Sequence, residues 1–64
     1  MNIAQKIIEA RQKQNLSVYE LSRISGVTQV HIHKIEKGTT KNPGVVTLCK
    51  LAKALNTTIN DLLN

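Results

Sequence analysis

Residues 17–38 read SVYELSRISGVTQVHIHKIEKG, and the whole fold follows from this stretch. Ser17-Val18-Tyr19-Glu20 is a capping box: the Ser17 hydroxyl accepts the amide three residues on, and Glu20 reaches back to the Ser17 amide. A short helix therefore starts here, with Leu21 and Ile24 predicted to face inward and Ser22 small beside Leu21. Gly26 is placed to leave that helix with positive φ, and Val27 turns inward after it. Thr28 is the N-cap of a second helix that ends near Lys37, with Gly38 past its end. Ile32 and Ile35 are the only strong apolar pair of this second helix. At about 100° per residue, Gln29, Val30, His33, Lys34 and Lys37 fall in one arc of roughly 140° on the opposite side.

The flanking sequence extends the helical pattern in both directions. Before the stretch, Ile3, Ile7, Ala10 and Arg11 share a face at i, i+4, i+7 and i+8, with Ala4 and Ile8 beside it, so a first helix runs from about Ile3 to Lys13. Arg11 is the odd member, because a charge on an apolar stripe needs a partner. After it, residues 39–44 form a loop, and Pro43 suits an incoming helix start. A fourth helix runs to about Leu55 with Val45, Leu48, Leu51, Ala52 and Leu55 as its buried stripe, and Lys50 and Lys53 on its wet face. Cys49 reads as a small, partly buried hydrophobe. Thr58 caps a last turn in which Ile59, Leu62 and Leu63 give apolar cover. β-branched residues occur, but never in the alternation of a strand. The expected architecture is all-α, five helices in a single domain over residues 1–64.

Composition narrows the function. The chain has 64 residues, 41% hydrophobic and 20% charged, which fits one small globular domain and leaves little room for a deep catalytic cleft. Nine Lys and Arg against four Asp and Glu give a net charge of +5. The excess is concentrated in residues 29–53, where Lys34, Lys37, Lys41, Lys50 and Lys53 face only Glu36. A basic middle on a small domain suggests a polyanion partner. Tyr19 is the only aromatic residue, so stacking platforms for single strands or RNA are missing. No apolar run reaches membrane length, which argues against a membrane partner, and one cysteine cannot make an internal disulfide, so a cytoplasmic setting is expected. His31 and His33 are two residues apart and point about 200° apart on a helix, so they cannot chelate one metal. No phosphate loop, nucleophile elbow or triad pattern is present, and neither an enzyme, a cofactor nor a small-molecule ligand is expected.

Two short helices joined by a glycine turn, the second with a polar outer face, make a helix-turn-helix pattern. Its physics asks for a small residue where the helices cross (Ser22) and a left-handed turn residue (Gly26). It also asks for a second helix held by few residues (Ile32 and Ile35), so that the rest can enter a major groove ~12 Å wide. The N-terminal residues of that helix, Gln29 and Val30, would meet base edges first.

From Ile3 to Leu63 the chain resembles the lambdoid phage repressor and Cro family of helix-turn-helix domains. The resemblance rests on Arg11, Leu16-Ser17, Glu20-Leu21, Gly26-Val27-Thr28-Gln29, Ile32, Ile35-Glu36-Lys37-Gly38, Pro43, Leu48, Leu51-Ala52-Lys53-Ala54-Leu55 and Leu62-Leu63, in that order and spacing. It implies a sequence-specific double-stranded-DNA-binding transcriptional regulator, in the repressor sense. Gln29 would be the first base reader, suited to adenine N6/N7, and Val30 would meet a thymine methyl. Lys34 would reach guanine or a phosphate, and His33 a base or a phosphate, unless it is simply solvated. Backbone contacts would come from Ser17, Tyr19, Thr28, Lys37, Thr40, Lys41 and Asn42. Val18 stands where the family usually places a phosphate-contacting Gln, and Tyr19 would take over that hydrogen bond. Arg11 and Glu36 match positions that pair across the first and third helices. Asn56, Thr57, Ile59 and Leu63, at the end away from the DNA-facing helix, are the expected surface of a weak homodimer. The alternative reading is a helical protein-interaction module, such as an antitoxin-like or antirepressor partner binder. It is disfavoured by an exposed arc that is polar and cationic where a partner surface would be apolar.

Overall fold

The computed structural model describes residues 3–40 and 42–64. Five helices follow one another: α1 (Ile3–Lys13), α2 (Val18–Ser25), α3 (Gln29–Glu36), α4 (Val45–Ala54) and α5 (Ile59–Leu63). No strand occurs among the described residues. α3 packs on α1 and α2, α4 packs on α2 and α5, and α1 also meets α5. Their apolar faces close over Ile7, Leu21, Ile32, Ile35, Leu51, Leu55 and Leu62, all essentially without solvent access. Val27 and Ala52 complete this core, and Ile3, Ala10, Leu16, Val18, Ala54 and Ile59 pack against it.

Local chemistry sets the ends of the helices. Ser17 caps α2 as a full capping box, its Oγ accepting from the Glu20 amide at 3.0 Å and its own amide donating to Glu20 Oε1 at 2.9 Å. Hydrogen bonding of its carboxylate to the Ser17 backbone, first, and to the Ser17 side chain, second, holds the Glu20 carboxyl below its ordinary pKa. A depressed carboxylate contributes stability that is present above the ordinary carboxylate range and is lost as pH falls through the folded-state value. Glu20→Gln keeps the cap geometry without the titration. Its unfolding midpoint should therefore lose less on acidification than that of the parent chain, and parallel acid limbs in circular dichroism would remove Glu20 from the linkage.

Three helices end in one pattern. The residue after the last turn is left-handed, at Asn15 (φ 57°), Gly38 (φ 81°) and Asn56 (φ 56°). The next amide then reaches back five residues, from Leu16 to Arg11, Thr39 to Lys34 and Thr57 to Ala52, at 2.9 to 3.1 Å. Asn tolerates this region because its short polar side chain can hydrogen-bond locally. Gly26 ends α2 with φ 78°, its amide bonding the Ser22 carbonyl at 2.9 Å.

Three residues expected to be buried, wholly or in part, are exposed. Ile24 was expected to face inward, yet it is 60% exposed. Val18, Leu21, Ser22 and Ser25 are the covered side of α2, and at 100° per residue Ile24 lies about 110° from the centre of that arc. Cys49 is exposed and free for the same reason, about 110° from the Leu48/Leu51/Ala52/Leu55 stripe. Val45 points nearer that stripe but is the first residue of α4 and is 71% exposed. At this end Ile3, Pro43, Val45, Leu48 and Leu63 border an open groove that no other described residue lines except Asn42 and Gly44. Helix α4 also starts two residues after Pro43, with Gly44 as an N-cap that offers no side-chain hydrogen bond.

Candidate nucleic-acid interface

Helix α3 is anchored on one side only. Ile32 and Ile35 are fully buried, His31 and Glu36 are half-buried, and Gln29, Val30, His33, Lys34 and Lys37 are all exposed. These five exposed residues form one continuous surface of amide, imidazole and ammonium groups around Val30, which is 64% exposed. Thr28 starts the helix, its Oγ1 accepting from the His31 amide at 3.2 Å. The side chain of Gln29, the first residue of the helix, has no hydrogen-bond partner among the described residues.

The carboxylate that could have neutralised this face is held elsewhere. Arg11 Nε donates to Glu36 Oε2 at 2.8 Å and Arg11 Nη2 to Glu36 Oε1 at 3.2 Å, a two-pronged pair joining α1 to the last turn of α3. Arg11 Nη1 also donates to the Leu16 carbonyl at 2.8 Å, so one guanidinium ties α1, the entry to α2 and α3. Side-chain exposures of 16% and 10% leave the pair partly desolvated. No other ion pair occurs among the described residues, and Lys34 and Lys37 keep uncompensated charge.

The flanking candidates divide. Ser17 and Tyr19 lie exposed at the N-terminal end of α2, where the Glu20 carboxylate already takes the Ser17 amide. The Tyr19 ring carries the Arg23 guanidinium 5.9 Å from its centroid. The i, i+4 spacing of an aromatic and a cation is a readable signal for this contact. Val18 is half-buried against the core, so the apolar departure at that position serves packing. After α3, the Lys34 carbonyl takes the Thr39 hydroxyl at 2.9 Å and the amides of Thr39 and Thr40 at 3.0 and 3.2 Å. This wrap half-buries Thr40 and leaves Asn42 exposed beside Pro43. Lys41 lies outside the described residues. At the other end of the molecule, Asn56 is exposed, Thr57 and Ile59 are half-buried, and Leu63 is 38% exposed.

Residues 7–62 match the sequence profile described as helix-turn-helix. The chain belongs to the helix-turn-helix family, of the Cro and CI type. Two relatives in the family are uncharacterized HTH-type transcriptional regulators. One, y4dL of Sinorhizobium fredii, is 46% identical over 55 residues, covering 86% of this chain and 28% of the relative. The other, from Haemophilus influenzae, is 40% identical over 58 residues, covering 91% of this chain and 58% of the relative. The chain thus spans less than two thirds of either relative. Among solved structures of the family, the master regulator for biofilm formation SinR, crystallised in complex with DNA, superposes with a TM-score of 0.94 at 29% identity. That match covers 97% of this chain and 98% of the SinR chain. No described helix is long and apolar enough to cross a membrane.

Proposed function

We propose that this chain binds double-stranded DNA in a sequence-specific manner, as a transcriptional regulator of the repressor type, by inserting α3 into the major groove. The observation that carries this reading is the acid-free arc Gln29, Val30, His33, Lys34 and Lys37 on a helix held by only two buried isoleucines. Gln29 and Val30 read base edges, His33 and Lys34 reach bases or the nearest phosphates, and Lys37 meets the backbone. Ser17, Tyr19, Thr28, Thr40, Lys41 and Asn42 supply the remaining backbone contacts. The relatives named as transcriptional regulators and the DNA in the SinR crystal support it.

Salt tests the electrostatic half of this reading. Binding to a duplex should weaken with a slope of about −0.9 in log K against log salt per phosphate neutralised. Lys37→Ala should weaken all sequences similarly and shallow that slope by ~1. An unchanged slope would take Lys37 out of the contact set.

A single domain buries only roughly 600–1,000 Å² on DNA, which is thin for finding one genomic site. Two copies on a pseudo-palindrome, with recognition helices ~34 Å apart, answer this by symmetry. The domain measures 25 × 21 × 19 Å, so neighbours on adjacent half-sites come close. The pairing surface proposed is the C-terminal end with Asn56, Thr57, Ile59 and Leu63. Ile59 also packs on the core, which keeps the apolar contribution small and the dimer weak off DNA. Sedimentation with a symmetric duplex should give two chains per duplex. One chain per duplex at saturation, with Ile59→Lys behaving as the parent, would end the dimer reading.

A further inference from the structure

We propose that the groove between the C-terminal half of α2 and the outer side of α4 is a docking site for an acidic, amphipathic segment of a partner protein. Ile24, Ser25, Lys50, Lys53 and Ala54 line it around a volume of about 330 Å³. Ile24 also borders a second depression of about 290 Å³ shared with Glu20 and Arg23. One large aliphatic side chain, 60% exposed, thus stands at the join of two adjoining hollows, with Lys50 and Lys53 on one side and Arg23 beside Glu20 on the other.

The charges select the occupant. Lys50 and Lys53 are exposed, one turn apart on α4, and neither has an ion-pair partner among the described residues. No Asp or Glu lines the hollow that holds the two lysines, and Glu20 lines only the adjoining one. Glu36 holds Arg11, Glu20 holds the Ser17 amide, Glu9 accepts from Gln5, and Asp61 accepts from Thr57. Like charges one turn apart repel, so an incoming carboxylate relieves a local cost as well as adding attraction. An aliphatic floor between cations fits a helix or extended segment that places a Leu or Phe over Ile24 and Ala54 and Asp or Glu on Lys50 and Lys53. A nucleic acid backbone would satisfy the lysines but brings no apolar group to cover Ile24. No residue of α3 lines either hollow. Occupation is therefore compatible with the exposed α3 arc, and the inference does not depend on what α3 reads. The hollow admits one or two anchors, so the affinity expected is modest and falls as salt rises.

Selection of a displayed random 16-residue peptide library on the protein, without DNA, tests this directly. The expected winners carry Asp or Glu bracketing Leu or Phe. Titrated into labelled protein, a synthetic winner should shift the amide resonances of Ile24, Ser25, Lys50, Lys53 and Ala54. Lys50→Glu with Lys53→Glu should weaken that peptide roughly tenfold or more, and Ile24→Ser should do so without reversing any charge. All three positions are exposed, so the unfolding midpoints should stay near that of the parent chain. Winners without acidic residues, equal binding to the charge-reversed protein, or shifts centred on α3 would overturn the proposal. So would a failure to recover acidic peptides together with a shallower salt slope for duplex binding by the charge-reversed protein, which would assign the two lysines to nucleic acid. Loss of DNA binding by Gln29→Ala with peptide binding intact would leave it standing.

Discussion

Arg11→Met should destabilise this domain strongly, costing about 3 kcal/mol, at the lower end of the ~3–5 kcal/mol typical when one member of a buried pair is removed. The lower end applies because the pair keeps some water, with side-chain exposures of 16% and 10%. The change strands the Glu36 carboxylate without its two donors and takes one donor from the Leu16 carbonyl. A domain of this size has a stability of only roughly 3–10 kcal/mol. At ~4–8 °C per kcal/mol the midpoint should fall by roughly 10–25 °C. Arg11→Met with Glu36→Leu removes both charges and keeps apolar bulk at each position, so the double variant should recover much of the loss. A double-mutant cycle measured by thermal unfolding checks this, and a coupling below ~0.5 kcal/mol would mean that the pair does not act as a unit.

Gln29→Ala should act on DNA and leave the fold alone. Gln29 is exposed at the first position of α3, and Ala is a good helix former there, so the unfolding midpoint should hardly move. Its carboxamide offers one donor and one acceptor in a plane, the pattern that adenine N6 and N7 complement. Loss of such a contact should cost about 1–3 kcal/mol on the preferred site and relax preference at one base pair. Binding isotherms on the preferred and on random duplex separate the outcomes. Equal weakening on both would make Gln29 a backbone contact.

Much of this was readable before any coordinates, for a physical reason. The capping box at Ser17, the Thr28 and Thr58 caps and the turn at Gly26 are local events, decided within four residues. The narrow Ile32/Ile35 anchor is a matter of helical period, and it fixes which side of α3 stays wet. Arg11, a charge on an apolar face, has the partner that such a position demands. What sequence reading missed is tertiary or stereochemical. Ile24 and Cys49 lie about 110° off their covered arcs, a difference that hydrophobicity alone does not register. Val45 points toward the core side but lies at the mouth of an open groove, 71% exposed. Asn15 and Asn56 end their helices in the left-handed region, a role that the presence of Asn at the end of each periodic run was enough to suggest. Tyr19 and Arg23 meet through an i, i+4 relation that the local capping pattern does not reveal.

Enrichment of bound sequences from a pool of random duplex DNA tests the central claim most directly, because binding, base reading and symmetry are all in one readout. The expected result is a short consensus arranged as two inverted half-sites whose centres are about one helical turn apart. It should be lost at one position of each half-site when Gln29 is Ala. A bound pool no different from the input, or a consensus untouched by changes on the Gln29, Val30 and Lys34 face of α3, would contradict it.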